Sequence, residues 1–318
     1  MPILSFIWNP EGTLFNLGPL QIKYYNLLWI TAFAMGWYLT KKIYLSEKKT
    51  LEQLDSLFIH AVLATMIGAR LGHVFFYDWA YYQNHLAEIL LPIRENAQGT
   101  LFGIIHGYEF TGFAGLASHG AAIGVILGML LYIKKHPGFK LLWVLDRAVI
   151  SVALGAFFIR LGNFFNSEIN GKIVDKSYVF ATKFLRDSDD LPLRNALQIT
   201  QQKTANAAYK LIELSPKYKE VLEAVPYRHP VQLYEGFSYL LLFFILHRLY
   251  WKTHKKDQAG YLFGLFLIVL FVVRFVFEFF KKSQGGFEST LGLLSTGQWL
   301  SIPFIAIGLF FVVRSKKA

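Results

Sequence analysis

The chain has 318 residues, of which 54% are hydrophobic and only 17% are charged, and its mean hydropathy is positive, +0.37. This composition excludes an ordinary soluble domain and indicates a polytopic membrane protein. The formal net charge of +11 does not indicate a nucleic-acid partner, because the basic residues cluster at the ends of apolar runs. Cysteine is absent, which excludes disulfides, thiolate catalysis and cysteine-based metal sites in this chain.

Seven apolar runs follow a short N-terminal segment, residues 1–23, in which Gly18-Pro19 indicates a turn. Each run has about 20 residues, enough to cross a hydrocarbon core of about 30 Å. We therefore predict an all-α fold of seven transmembrane helices, the first of which acts as an uncleaved insertion signal. The runs cover residues 24–44, 57–77, 112–133, 141–166, 230–251, 259–280 and 293–313.

Lysine and arginine clusters predict the orientation of these helices. Because basic loops stay on the cytoplasmic side, we place the N-terminus outside and the C-terminus in the cytoplasm. The clusters follow the first, third, fifth and seventh runs and contain Lys41, Lys42, Lys48, Lys49, Lys134, Lys135, Lys140, Lys252, Lys255, Lys256, Arg314, Lys316 and Lys317.

The whole chain, 1–318, is interpreted as one integral membrane domain with two extramembrane segments. Residues 167–228, between the fourth and fifth helices, are expected to form a small extracytoplasmic head. Residues 78–111 are expected to lie at the membrane interface, because the apolar run 87–93 is too short to span. Within the head, a helix is predicted over 200–225 from a stripe of apolar side chains at Ala205, Ala208, Leu211 and Leu214.

Polar side chains inside the predicted spans indicate a functional site. Arg160, Asn163 and Ser167 share one face at helical spacing. An arginine at the centre of a membrane helix costs about 2.5–3.5 kcal/mol, which an anionic ligand would offset. Arginine also binds phosphate oxygens by paired hydrogen bonds and stays charged when desolvated. By topology, the outer half of the bundle collects Arg70, His119, Arg160, Gln232, Glu235, Arg274 and Glu278.

These residues are also compatible with other interpretations. Arg274 and Glu278, four positions apart, are equally explained as a structural ion pair. His119, His229 and Glu235 lack the spacing of a zinc motif, so we predict neither a metal nor a cofactor. A transporter or lipid scramblase would predict repeat-related broken helices, and the sequence has no internal repeat. A purely structural protein would tolerate neutral replacements of its buried arginines.

Seven groups of residues resemble the motifs of bacterial phosphatidylglycerol–prolipoprotein diacylglyceryl transferases, and they occur in that family's order. The longest is the signature run Arg160–Gly171, of sequence RLGNFFNSEING. Ser167 and Ala121 stand where the family usually has glycine. The other groups are Gly18-Pro19 with Tyr25, Gly68-Ala69-Arg70-Leu71-Gly72, Ser118-His119-Gly120, Arg228–Glu235, Arg274 with Glu278, and Gly297-Gln298 with Ser301-Ile302-Pro303.

The resemblance implies a reaction in the bacterial cytoplasmic (inner) membrane. The diacylglyceryl group of phosphatidylglycerol moves to the lipobox cysteine thiol of a preprolipoprotein, a thioether forms, and glycerol phosphate leaves. Arg160 and Arg274 are then expected to bind the phosphate, with His119 as the candidate base and Glu235 or the arginine-rich field as alternatives. The expected substrate-binding residues are Tyr25, Arg70, Asn163, Asn166, Glu168, Gly171, Gln232, Tyr234 and Glu278.

Overall fold

Helices dominate the structure, a computed structural model that describes residues 5–17, 20–101, 103–110, 115, 117–282 and 294–315. Among these residues, a long helix lies at each of the seven predicted apolar runs, while the predicted Gly18-Pro19 turn lies outside them. The long helices are α1 (Tyr24–Ser46), α2 (Leu51–Tyr77), α5 (Ser118–Lys135), α6 (Leu141–Phe165), α10 (Val231–Lys252), α11 (Tyr261–Glu278) and α12 (Thr296–Ser315). The short helices are α3 (Trp79–Tyr82), α4 (Ala87–Leu90), α7 (Leu193–Thr200), α8 (Ala205–Leu214) and α9 (Lys219–Ala224).

Four of the long helices, α2, α6, α11 and α12, are long and apolar enough to cross a membrane. The chain is therefore a mostly helical, multi-pass membrane protein. The helix α2 begins six residues before the predicted run (Leu51 rather than residue 57), because Thr50 and Gln53 form a reciprocal capping box at its N-terminus.

In the described part of the chain, six short strands lie outside the long helices and were not predicted. They form three two-stranded sheets rather than one continuous sheet. The strand β1 (Phe6–Trp8) pairs in parallel with β6 (Thr182–Phe184), whereas β2 (Thr13–Leu17) with β3 (Leu20–Lys23) and β4 (Ile93–Leu101) with β5 (Ile105–Phe110) are antiparallel hairpins. The run 87–93, expected to lie flat at the interface, is divided between α4 and the first residue of β4.

The chain divides into two compact units, and the first contains residues 1–40 and 145–318. In this unit, α11 and α12 cross at Gly264 and Gly308, where a Cβ on either residue would lie 2.7 Å from the carbonyl oxygen of the other. Asp146 is fully buried and accepts hydrogen bonds from the amides of Gly260 (2.7 Å) and Phe263 (2.9 Å). This carboxylate therefore caps the start of α11.

The second unit contains residues 41–144. Its helices α2 and α5 approach closely along a stripe of small residues. A Cβ at Gly72 would lie 2.6 Å from the Cα of Gly120, and one at Gly124 would lie 2.9 Å from the Cα of Gly68. These two helices form the helical core of this unit, and the β4–β5 hairpin follows α4.

The head has a hydrophobic core of its own, although its predicted helix is broken into α8 and α9. The core contains Leu185, Leu191, Ala196, Ala208, Tyr209, Ile212, Tyr218 and Val225. The predicted stripe is partly wrong, since Leu214 is 67% exposed while Tyr209 and Ile212 are buried. An α-helix has 3.6 residues per turn, so residues spaced by exactly three drift around the helix. Leu214 is nine residues after Ala205, about two and a half turns, and therefore lies on the opposite side.

Candidate functional site

A cluster of charged side chains is buried where α6, α10 and α11 meet. Glu235 has no solvent exposure, and its two carboxylate oxygens bind different cations. Arg160 Nε lies 2.8 Å from Glu235 Oε2, and Lys281 Nζ lies 2.8 Å from Oε1. Lys281, which is 5% exposed, also lies 3.3 Å from Glu278 Oε2. We call Arg160, Glu235, Arg274, Glu278 and Lys281 the charged cluster.

Local structure explains why these side chains meet. Arg160 lies near the C-terminal end of α6, and Glu235 lies in the first turns of α10. The neighbour of Glu235 is Gly236, and a Cβ there would lie 3.4 Å from the Cβ of Arg160. This is an ordinary van der Waals distance, so α6 and α10 pack in direct contact beside the ion pair.

Arg274 gives the charged cluster an unused hydrogen-bond donor. Its Nε is buried and has no hydrogen-bond partner among the described residues. The alternative interpretation of Arg274 and Glu278 as a structural ion pair is not realised, because Glu278 is paired with Lys281 instead. The charged cluster thus contains three cations and two carboxylates, and a buried donor without a partner is costly unless a ligand accepts from it. The arrangement is suited to a monoanion such as a phosphate diester.

The signature run continues from Arg160 into a loop that follows α6. Asn163 Nδ2 donates to Glu168 Oε1 at 2.7 Å, and Arg160 Nη1 donates to Asn163 Oδ1 at 3.4 Å. Asn166, which is exposed, makes a longer contact of 3.5 Å with the same oxygen of Glu168. The asparagines thus join the arginine of the charged cluster to the loop carboxylate.

The start of α10 fixes the far end of this loop. Gln232 Nε2 donates to the carbonyl oxygen of Glu168 (2.7 Å) and to Asn170 Oδ1 (2.5 Å). The amide of Gly171 donates to the carbonyl oxygen of His229 at 3.0 Å. A Cβ at Gly171 would lie 2.5 Å from the His229 Cβ, so only glycine permits this approach. The loop is therefore anchored at both ends.

Ser167 is held in an unfavourable environment within the loop. Its φ is +56°, and its buried Oγ has no hydrogen-bond partner among the described residues. We expect Ser167→Gly to raise the free energy of unfolding by about 1 kcal/mol, because it removes both the left-handed strain and the unsatisfied hydroxyl. Thermal unfolding of the purified protein measures this. Ser215→Gly is the control, since Ser215 has a φ of −91° and should gain nothing.

Two predicted tyrosines lie beside these elements. The ring of Tyr25 lies against the backbone of Gly162, where a Cβ would be 2.7 Å from Tyr25 Cδ2. The hydroxyl of Tyr234 lies 3.4 Å from His229 Nδ1, and its ring packs against Phe277 at 5.7 Å. Burial lowers the pKa of the His229 imidazole, which favours a neutral ring there.

Arg70 and His119 belong to the second unit. Arg70 donates to the carbonyl oxygens of Glu88 and Ile89, and its guanidinium lies 4.8 Å from the Tyr82 ring centroid. Within that unit, Arg70 therefore holds the end of the short helix α4. His119 lies in the first turn of α5, and its side chain is outside the described part of the chain.

Possible metal ligands are otherwise engaged. Both oxygens of Glu235 bind cations. In the second unit, His85, Glu88 and Glu95 bring ligand atoms within 4.8 Å of one another. Glu88, however, already accepts from the Tyr81 hydroxyl (2.9 Å) and from the Glu95 amide (2.7 Å). The site chemistry thus rests on the charged cluster and the signature loop.

Sequence analysis missed two residues of this site. Lys281 looks like an ordinary basic residue at a helix end, next to Lys282. Its signal is its position three residues after Glu278, which places it one helical turn beyond that carboxylate. Asn170 lies inside the signature run but was given no role, although its side chain binds Gln232, Ser167 and Asp187.

Comparisons with known proteins match residues 12–314 to the family described as prolipoprotein diacylglyceryl transferase. The chain is 36% identical to a protein of Bacteroides fragilis over 98% of this chain and 95% of that protein. It is 37% identical to one of Tolumonas auensis (98% and 97%) and 36% identical to one of Chloroherpeton thalassium (100% and 97%). All three are named phosphatidylglycerol–prolipoprotein diacylglyceryl transferase. The chain therefore belongs to the prolipoprotein diacylglyceryl transferase family.

Proposed function

We propose that this chain transfers the diacylglyceryl group of phosphatidylglycerol to the lipobox cysteine thiol of a preprolipoprotein, with the lipid phosphate bound at the charged cluster. This reaction is the first step of bacterial lipoprotein maturation, and its substrates are a membrane lipid and a signal peptide. Membership of the family supports the reaction. The observation that carries the site is the buried Nε of Arg274, which has no hydrogen-bond partner among the described residues, together with the ion pairs of Arg160 and Lys281 on Glu235.

In the reaction, the cysteine sulfur attacks the diacylglyceryl carbon that is bonded to a phosphate oxygen. The S–C bond forms and the C–O bond breaks, and the electron pair leaves with glycerol phosphate. Negative charge therefore grows on the phosphate, where fixed cationic donors stabilise it most. Arg160 and Arg274 supply these donors, and a guanidinium fits phosphate oxygens better than an ammonium does.

Glu235 positions Arg160 rather than removing the thiol proton. Each of its two oxygens already lies 2.8 Å from a cation, so this carboxylate holds the guanidinium in place. Lys281 binds the other oxygen of the same carboxylate. Arg160 therefore uses its Nε for Glu235, and the remaining N–H groups of its guanidinium can donate to the phosphate. His119 is then our candidate for the base, with the arginine-rich field assisting by favouring the thiolate.

The remaining predicted residues shape the cavity around this chemistry. Gly171 and Gln232 hold the loop, and Asn163 with Glu168 connects it to Arg160. We assign Asn166, Tyr25, Tyr234 and Glu278 to the cavity wall. Arg70 stays among the proposed substrate-binding residues. Its hydrogen bonds to the carbonyl oxygens of Glu88 and Ile89 also support the second unit.

The topology completes the proposal. Seven helices cross the inner membrane as one domain, with the N-terminus outside and the C-terminus in the cytoplasm. The alternation of lysine-rich loops supports this orientation. The head, residues 167–228, then lies outside, where its own core keeps it folded in water. The catalytic cavity opens on the same side, where preprolipoproteins emerge from the membrane.

An assay with purified protein tests the reaction. The protein in detergent is mixed with phosphatidylglycerol and a lipobox peptide, and the peptide mass is measured. We expect a gain of one diacylglyceryl unit, and no gain with a Cys→Ser peptide or with phosphatidylcholine as the lipid. Folded protein that modifies no peptide with any anionic lipid would contradict the proposal and favour a transport function.

A further inference from the structure

An exposed apolar patch lies on the head segment that follows the signature loop. It consists of Ile173, Tyr178, Val179 and Phe180, which we call the loop patch. These side chains are 63%, 44%, 55% and 50% exposed, respectively. Single exposed apolar residues are common, but four within eight positions of one surface segment indicate a partner.

The backbone of the loop patch is defined rather than irregular. The amide of Ala181 donates to the carbonyl oxygen of Tyr178 (3.0 Å), and the Thr182 hydroxyl donates to that of Phe180 (2.9 Å). Phe180 has a φ of +67°, a left-handed conformation that is unfavourable for a bulky residue. The fold therefore keeps the aromatic side chain of Phe180 exposed in an unfavourable backbone conformation. A turn with only a structural role would not need an aromatic residue at this position.

The loop patch lies at the level of the helix ends. Ile173 pairs with Arg228, just before α10 begins, and the amide of Lys172 donates to the carbonyl oxygen of Phe280 (2.7 Å), just after α11 ends. Both contacts lie within three residues of a membrane-helix terminus. This is the depth at which the polar interface of a bilayer meets its hydrocarbon core.

Ring contacts connect the end of α11 to the loop patch. Val276, on α11, and Phe279, the residue after its end, are 45% and 54% exposed. Beyond them, the ring of Phe280 lies 5.2 Å from that of His229, which lies 4.6 Å from that of Tyr178. Burial lowers the pKa of the His229 imidazole, which favours a neutral ring at this position. The exposed apolar residues at the end of a long apolar helix are thus linked to the loop patch by packed rings.

The charges beside the loop patch favour an anionic surface. Lys172 and Lys176 are exposed, and among the described residues neither forms an ion pair, whereas the nearby Asp175 carboxylate accepts from Ser177. Lysines close to an anionic membrane surface strengthen binding to it. Apolar side chains flanked by lysines at a helix end are typical of an interfacial anchor.

We propose that the loop patch is a membrane anchor that inserts into the interface of a bilayer containing anionic glycerophospholipids. Val179 and Phe180 enter the upper part of the acyl-chain region, and Lys172 and Lys176 meet lipid phosphates. Because Gly171 and Ile173 connect the loop patch to the signature loop, the anchor fixes the depth of that loop in the membrane. The partner is the lipid surface itself, not a further protein.

Site-directed spin labelling tests the anchor directly, because the chain has no native cysteine. Val179→Cys and Phe180→Cys are labelled with a nitroxide and reconstituted in vesicles of phosphatidylglycerol and phosphatidylethanolamine. Accessibility to oxygen and to a water-soluble nickel chelate is then measured by power saturation. Val272→Cys, exposed in the middle of α11, is the membrane control, and Gln202→Cys, in the polar loop before α8, is the water control.

We expect both loop-patch labels to favour oxygen over the nickel chelate, at values between the two controls. Two positions are used so that a local defect at one cannot decide the result. Values equal to those of Gln202→Cys would overturn the proposal by placing the patch in water. Labels shielded from both reagents would also overturn it, because they would indicate a protein partner or a second copy. Neither outcome depends on the transferase reaction.

Discussion

Arg160→Ala is expected to lower the rate of diacylglyceryl transfer by at least about 100-fold, the loss typical when one donor to a developing anion is removed. The Nε of Arg160 lies 2.8 Å from a carboxylate oxygen of Glu235, so the guanidinium is held in place as a donor for the phosphate. Arg160→Lys should recover only part of the activity, since an ammonium cannot form paired hydrogen bonds with phosphate. The peptide-mass assay, run as initial rates, measures both variants.

The fold should survive this substitution, because Lys281 still neutralises Glu235. Thermal unfolding in detergent provides that control, and Arg194→Ala, an exposed arginine on α7, provides a matched variant that should keep full activity. A collapse of protein level in Arg160→Ala would point to a structural role for the cluster. Full activity in a folded Arg160→Ala protein would exclude phosphate binding by this residue.

Lys281→Met should reduce both stability and transfer. The ammonium lies between two carboxylates and is almost fully buried. Removing one partner of a buried ion pair typically costs about 3–5 kcal/mol, since the other charge is left uncompensated. Here that charge is Glu278, because Glu235 keeps Arg160. Repulsion between Glu235 and Glu278 would then displace Arg160, so we expect transfer to fall about tenfold or more even below the unfolding temperature. Lys281→Arg keeps the charge and should keep most of the activity.

The adjacent Lys282 offers a stringent comparison. It is paired with Asp189 at 2.6 Å, but both side chains are about half exposed, 45% and 61%. Exposed pairs contribute little, about 0–1 kcal/mol. Lys282→Met should therefore leave unfolding temperature and transfer near those of the unmodified protein. If the two methionine variants behaved alike, burial of Lys281 would have no special importance.

Hydrophobic length predicted the long helices well, because an apolar run of about 20 residues has few alternatives in a membrane protein. The β2–β3 and β4–β5 hairpins were not predicted, because their segments are short and mixed in polarity and show no apolar run or clear periodicity. Hydrogen bonds between the paired strands hold these hairpins together. The buried face of the head helix was predicted only in part, since Ala208 is buried but Leu214 is exposed, whereas Tyr209 and Ile212 lie in the core with Leu185 and Leu191.

The sequence predicted which residues belong to the candidate site better than it predicted which of them contact one another. Resemblance identified the signature run, and the structure joins Arg160 to Glu235 and Gln232 to the loop. The partner of Glu278 was not predictable from spacing, because Arg274 and Lys281 both lie one turn away from it. Only the geometry selects Lys281. The catalytic roles, including that of His119, stay predictions.

The shared carboxylate of Glu235 sets an order for the assembly of the protein. During synthesis Arg160 enters the membrane first and Glu235 follows, whereas Lys281 arrives only after α11 is complete. Until then, among the described residues, the Glu235 carboxylate has only Arg160 as a counterion. The isolated β-bridge between Gly171 and Lys281 is also missing at that stage. The charged cluster is therefore completed late in biogenesis. A nascent chain that stops before α11 lacks Arg274, Glu278 and Lys281, three of its five members.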